Sequence, residues 1–257
     1  MDVTGDVTVD FGGRAVLVTG GTKGIGFAIA RAFLAAGAGV VVCGRSEPAV
    51  LPAAGGRTAR FLAADVRDPA AAAHLVERAA EQLGRLDVLV NNAGGSPSAD
   101  AATVSPRFVE RIVALNLLAP FYVAQPANRV MQESGGVIIN IGSVAGVDPQ
   151  PGTAAYSAAK AGLLALTRAL ALEWAPRVRV NHITTGLIRT EAAATVYGAD
   201  GGAAVAEVIP MRRLAVPADV ANTCLYLASD LAAYLTGADI AVHGGGELPA
   251  RYVVSRS

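Results

Sequence analysis

Short apolar runs rich in β-branched residues alternate along this chain with Ala- and Leu-rich stretches of helical spacing. Residues 15–19, 40–43, 61–64, 86–90, 137–141, 178–183 and 239–242 read as strands. Residues 24–36, 69–83, 104–130, 154–174 and 218–228 read as helices. Gly37 and Gly39 end the first helix, and Pro69 sits in the first turn of the second. Pro120 and Pro126 are expected to interrupt and kink the helix over 104–130. The strands are apolar without alternation, so both faces of their sheet must be covered. Helices between such strands imply an α/β fold, a doubly wound parallel sheet with helices on both faces and ligands at the carboxyl ends of the strands. No linker or repeat divides the chain, so residues 1–257 are read as one domain, with 1–12 as an N-terminal extension. Residues 47–60 and 190–217, rich in Pro and Gly or polar residues, read as loops.

The first strand runs into Thr19-Gly20-Gly21-Thr22-Lys23-Gly24-Ile25-Gly26 and at once into a helix. Glycines there let the backbone turn tightly and let a pyrophosphate approach the free N–H groups of the helix N-terminus. A Gly-rich turn between strand and helix also has a purely structural use, so the turn needs its context. A site for NAD usually has an acid at the end of the second strand to hold the ribose 2′-OH. This strand ends Cys43-Gly44-Arg45-Ser46, without one. Arg45, with Lys23 in the neighbouring loop, suits a 2′-phosphate instead, which points to NADP(H) over NAD(H). Both cations are otherwise ordinary solvated surface charges.

Ser143 follows the strand over 137–141. Tyr156 and Lys160 stand four residues apart on the long helix and therefore share a face. A phenol is a poor acid or base near neutrality; a nearby ammonium favours the phenolate and brings it closer to that range. Of the 21 basic residues only Lys23 and Lys160 are lysines. A lysine retained against so strong a preference for arginine suggests that a compact ammonium is needed there. The bland reading is a core tyrosine and a lysine reaching for water.

Lys plus Arg and Asp plus Glu are both 21, for a formal net charge of zero. That excludes an excess of cations for phosphate backbones, and no nucleic-acid partner is expected. Hydrophobic residues make up 53% and charged residues 16%, which excludes a disordered chain. Two cysteines, Cys43 and Cys224, provide neither a disulfide framework nor metal-ligand spacing, and no metal is expected. Residues 1–10 carry three Asp and no basic, apolar leader, and residues 112–128 are broken by Asn116, Pro120, Gln125 and Pro126. The expectation is a cytoplasmic protein without a membrane partner.

Together T-G-G-T-K-G-I-G at 19–26, N-N-A-G at 91–94, Asn116, Ser143 and Y-S-A-A-K at 156–160 resemble the short-chain dehydrogenase/reductase family in its form of roughly 250 residues. The resemblance runs from about Gly13 to Gly246. It implies a Rossmann-like fold and a hydride transfer between a nicotinamide and a carbonyl or alcohol. By it, Tyr156 is the general acid in reduction, Ser143 polarises the carbonyl oxygen, and Lys160 binds the nicotinamide ribose and lowers the Tyr156 pKa. Asn116 holds a water linking Lys160 to solvent. Gly20, Thr22, Lys23, Gly24, Ile25, Gly26, Arg45 and Ser46 surround the phosphates. Asp65 and Val66 meet the adenine end, Asn92 and Gly94 line the cleft, and Gly186, Ile188 and Thr190 cover the carboxamide. The family commonly forms homotetramers, so a homotetramer or homodimer is expected.

The chain departs from the family pattern in four places. Thr185-Gly186 replaces Pro-Gly, and His243, read as structural, replaces an Asp before the last glycines. The two prolines follow Asn116, and the segment after the second strand is too short and Pro/Gly-rich for a full helix. The substrate pocket is expected from residues 94–99, 144–152 and 191–211, with Asp148, Gln150, Tyr197 and Arg212 as scattered polar groups. Such a lining suits an apolar ketone or secondary alcohol, ketoacyl-, polyketide-, steroid- or xenobiotic-like. The rival readings are an NAD-dependent alcohol dehydrogenase of the same family and a non-catalytic dinucleotide-binding regulatory protein.

Overall fold

The computed structural model describes residues 9–191, 197–198 and 200–249. Seven parallel strands form one sheet in the order β5-β2-β1-β6-β7-β8-β9. These are β1 (Ala15–Thr19), β2 (Gly39–Gly44), β5 (Arg60–Ala63), β6 (Val88–Asn91), β7 (Gly136–Ile141), β8 (Val178–Thr185) and β9 (Asp239–Val242). All seven predicted strands are present, with ends shifted by up to two residues. Within the predicted loop over 47–60, β3 (Ala53–Ala54) and β4 (Arg57–Thr58) form a small hairpin around Gly55 and Gly56. Both glycines have positive φ, which their lack of Cβ allows.

Helices α1 (Gly24–Ala35) and α6 (Pro217–Ala228) cover one face. Ile29, Phe33, Val220 and Leu227 are buried there against Val16, Val18, Val90 and Ile139. Helices α2 (Pro69–Leu83), α4 (Ala119–Ser134) and α5 (Ala154–Trp174) cover the other. Val76, Val123, Met131 and Leu170 meet Leu17, Leu89, Ile138 and Val180 there. Successive strand residues thus feed opposite cores, as two covered faces require. Helix α2 has the ends its sequence promises: the Asp68 carboxylate caps the N–H groups of Ala70 and Ala71, and Gly84 closes it with φ 78°.

Pro120 and Pro126 do not end the helix. Residues 106–134 run continuously through α3 (Pro106–Val113), a π turn (Ala114–Leu118) and α4. The irregularity lies just before Pro120. Proline has no N–H for the carbonyl one turn back, that of Asn116, and its ring crowds that carbonyl. A wider turn at this point accommodates both effects. This stretch is also long and apolar enough to cross a bilayer by length and composition. Its Ala119, Val123, Ala124, Ala127 and Met131 are instead packed into the core beneath the sheet.

The predicted N-terminal extension lies outside the described residues over 1–8, and the rest of it is structural. Phe11 is buried, with its ring edge-on to Phe33 at 5.0 Å between centroids. The predicted loop over 190–217 contains a short helix, Ala203–Ala206; residues 192–196 and 199 lie outside the described residues.

Candidate active site

The strand order reverses between β1 and β6. Their following loops diverge, leaving a crevice at the carboxyl ends of the strands. Thr19 and Asn92 fix its floor. The Thr19 hydroxyl accepts from the N–H groups of Asn92 and Ala93, both at 3.0 Å. The Asn92 carboxamide donates to the carbonyls of Thr19 (2.9 Å) and Gly20 (3.1 Å). Gly20 and Gly24 have φ of 63° and 52°, and a side chain on Gly21 would strike Val42. Helix α1 begins here after Lys23, with no capping side chain on its first N–H groups.

The resulting cleft of about 870 Å³ is lined by Gly20, Thr22, Lys23, Gly24, Ile25, Arg45, Ser46, Asp65, Val66, Asn92, Gly94 and Thr190, all expected from the sequence. Gly26 is not on its wall. It packs under the Gly20 carbonyl and the Asn92 side chain, where a Cβ has no room. Gly186 abuts His243, and the Ile188 N–H is taken by the Tyr197 hydroxyl at 3.1 Å. His243 makes a local turn contact, accepting from the Gly245 N–H at 3.2 Å, in keeping with its structural reading.

Arg67 and Leu115 also line the cleft without having been expected there, and Glu191, expected in the substrate pocket, lines the cleft instead. Arg67 grips Asp65 with Nε at 2.9 Å from Oδ1 and a terminal nitrogen at 2.5 Å from Oδ2. That grip holds the Asp65 carboxyl below its usual range. An Arg two residues after an Asp at a strand end was the available signal.

Beyond the cleft, four side chains converge from three elements. Asn116, buried in the π turn, accepts from the Gly95 N–H (2.8 Å) and donates to the carbonyls of Gly95 (3.0 Å) and Ile112 (2.9 Å). Its carboxamide thus ties the turn after β6 to the helix; its backbone carbonyl is the one that Pro120 cannot reach with a donor. Lys160 is 4% exposed and donates to the Ile141 carbonyl at 2.8 Å. Its Nζ lies 5.8 Å from the Tyr156 ring centroid, which confirms the shared face. Burial pulls the Lys160 ammonium down to about 8. Burial also raises the Tyr156 phenol, while a hydrogen bond with Ser143 opposes that rise and nearby Tyr197 adds to it. The expected lowering of the phenol by Lys160 is therefore not seen: burial sets the direction, and the ammonium faces the Ile141 carbonyl.

A second cavity, about 290 Å³, adjoins Tyr156. Ser96, Ala99 and Gly152 come from two of the expected pocket segments, 94–99 and 144–152, whereas Val104, Phe108 and Val109 lie outside all of them. None of the described residues of 191–211 lines it; 192–196 and 199 lie outside the described residues. Among the described residues no group of His, Cys, Asp or Glu is arranged to hold a metal ion.

A family model described as enoyl-(acyl carrier protein) reductase matches residues 20–247. The 3alpha-hydroxysteroid dehydrogenase of Mediterraneibacter gnavus is 35% identical over 240 residues, covering 90% of this chain and 96% of the relative. The D-threitol dehydrogenase of Mycolicibacterium smegmatis is 36% identical over 251 residues, 93% and 96% of the two chains. Among solved structures, a short-chain type dehydrogenase/reductase from Mycobacterium marinum superimposes with a TM-score of 0.87 at 34% identity, over 94% of this chain and 98% of that one. With this fold, this cleft and these relatives, the chain belongs to the short-chain dehydrogenase/reductase family, oxidoreductases that act on CH–OH groups with NAD(P).

Proposed function

We propose that this protein is an NADP(H)-dependent reductase of apolar ketones, or the dehydrogenase of the corresponding secondary alcohols. The observation that carries the cofactor half of this reading is the wall of the cleft beyond β2, where Gly44, Arg45 and Ser46 stand without a carboxylate. Arg45 would hold a 2′-phosphate there, and Lys23 lines the same cleft. The glycine turn and the uncapped start of α1 suit a pyrophosphate.

A nicotinamide held in the cleft would supply or accept the hydride. The protein's own part is proton handling and orientation. In reduction the Tyr156 hydroxyl gives its proton to the substrate oxygen, and the Ser143 hydroxyl donates a hydrogen bond to that oxygen. Lys160 holds positive charge next to the phenol and so favours the phenolate left behind. Asn116 keeps the turn after β6 against the helix, and its backbone carbonyl, which Pro120 cannot donate to, suits a water that replaces the proton Lys160 passes to the phenolate. The uncharged lining of the cavity beside Tyr156 supports an apolar substrate.

Exposed Leu172, Tyr226, Leu231 and Tyr234 support a homo-oligomer, which light scattering will size. The test of function is NADPH oxidation against a panel of lipophilic ketones, repeated with NADH and in the alcohol direction. Preference for NADH refutes the cofactor assignment, and turnover confined to polyols refutes the substrate assignment.

A further inference from the structure

His182 is a buried titratable residue with no part in the chemistry above. It lies on β8 in register with Asn140 of β7 on one side and Asp239 of β9 on the other. Its side chain is 1% exposed. A polar ring in an apolar sheet is costly unless bonded, and here Nδ1 pairs with the Asp239 carboxylate at 2.8 Å. Thr184 donates to both oxygens of that carboxylate, at 2.8 and 2.9 Å. The far edge of the ring, with Nε2 unpartnered, lies against Gly142. A methyl group built on Gly142 falls on the ring atoms Cε1 and Nε2, so the imidazole occupies the place of the missing side chain.

Two further contacts from the same strand converge on Gly142. Its N–H donates to the Ile183 carbonyl at 2.8 Å. Its carbonyl accepts from the Thr185 hydroxyl at 2.8 Å, and Thr185 is itself buried. Gly142 is thus held at its N–H, its α-carbon and its carbonyl by residues of β8. Its neighbours give that position its importance. Ile141 receives the Lys160 ammonium, and Ser143 carries the hydroxyl next to Tyr156.

We propose that His182 and Thr185 are positioning residues for the reaction, clamping Gly142 and thereby fixing Ser143 relative to Lys160 and Tyr156. The proposal rests on the catalytic reading of Ser143 and Tyr156. It gives a purpose to Thr185, which stands where the family pattern has proline. Proline has no hydroxyl to hold the Gly142 carbonyl, and threonine does.

Two pairs of variants test it, read by steady-state kinetics, melting temperature and hydrogen exchange of the Gly142 amide. Thr185→Val keeps the shape and removes the donor; Thr185→Ser keeps the donor. The valine variant is expected to lose about tenfold in kcat at unchanged NADPH affinity, with faster exchange at Gly142, and the serine variant to recover to within about twofold. Gly142→Ala is expected to lose more, because its methyl collides with the imidazole. Adding His182→Ala to it is expected to restore part of kcat, because the methyl then has room. Wild-type kcat and wild-type Gly142 exchange in Thr185→Val overturn the proposal. So does a serine variant as slow as the valine variant, or a double variant no better than Gly142→Ala. If the wild-type protein turns over no ketone or alcohol, the catalytic reading fails, while exchange at Gly142 still decides whether the clamp exists.

Discussion

Replacing Lys160 with Met separates the energetic burden of the buried ammonium from its chemical use. The side chain is 4% exposed and burial draws its pKa to about 8, against an ordinary 10.5. At pH 7 that difference corresponds to about 3 kcal/mol of folding free energy spent on keeping the charge inside. Methionine removes the burden but forfeits the hydrogen bond to the Ile141 carbonyl, about 1 kcal/mol. The variant is therefore expected to be more stable than wild type by about 2 kcal/mol at pH 7. The sign changes with pH. Between pH 8 and 10.5 the unfolded lysine is protonated and the folded one is not, so wild-type stability rises with pH through that window, while the variant lacks this contribution. By pH 10.5 the wild type is expected to be the more stable, by about 1 kcal/mol. Urea denaturation of both proteins at intervals from pH 7 to 10.5 measures the difference directly, and other titrating groups cancel in it. A difference that stays constant across the series refutes the reasoning, because it means that the folded ammonium keeps its ordinary affinity for the proton.

Tyr156→Phe is expected to lower kcat by about 10²–10⁴-fold while NADPH binding, followed by fluorescence titration, stays within about twofold; near-wild-type turnover removes the phenol from the mechanism. Arg45→Ala is expected to raise the KM for NADPH about 5–30-fold and leave that for NADH unchanged, the modest size reflecting a solvent-exposed charge; equal effects on both cofactors contradict a 2′-phosphate contact. Asp87→Ala is expected to destabilise the fold by about 2 kcal/mol in thermal or urea unfolding. Its buried carboxylate accepts from the Ala15 N–H at 2.8 Å and pairs with Arg85 at 2.6 Å and Arg14 at 3.3 Å. An unchanged melting temperature speaks against that role.

The sheet was legible because its strands are uninterrupted apolar runs, a pattern that only a parallel sheet covered on both faces explains. The helices over 69–83 and 154–174 match residue for residue, since Pro69 marks the start of one and an unbroken Ala/Leu period runs through the other. Pro120 and Pro126 carry the pattern of helix breakers, and nothing in the sequence marks the π turn that accommodates Pro120. That the glycine turn and the residues after β2 share one cleft was legible, because both follow strand ends at the carboxyl edge of a parallel sheet. Val104 and Phe108 were not legible, since which side chains of a loop and of helix α3 face a cavity is decided by tertiary packing and leaves no mark in the sequence. The clamp on Gly142 was hidden for a related reason. Gly142 is some forty residues from His182 and Thr185 in the chain, and only the β7–β8 register brings it to them.

The Asn91 and Asn140 side chains, adjacent on β6 and β7, have a consequence for how this sheet assembles. Asn91 donates to Asn140 at 2.9 Å and to the Pro120 carbonyl at 3.1 Å, and Asn140 donates to Thr167 at 2.9 Å. Strands made of interchangeable valines and isoleucines tolerate slippage, because each shifted alignment still buries hydrocarbon. A shift of β7 past β6 would strand two carboxamides in a dry interior, each without its partner. The pair therefore works as a key for strand alignment, and the loops bearing Asn92 and Ser143 inherit their relative height from two amides that never meet a ligand.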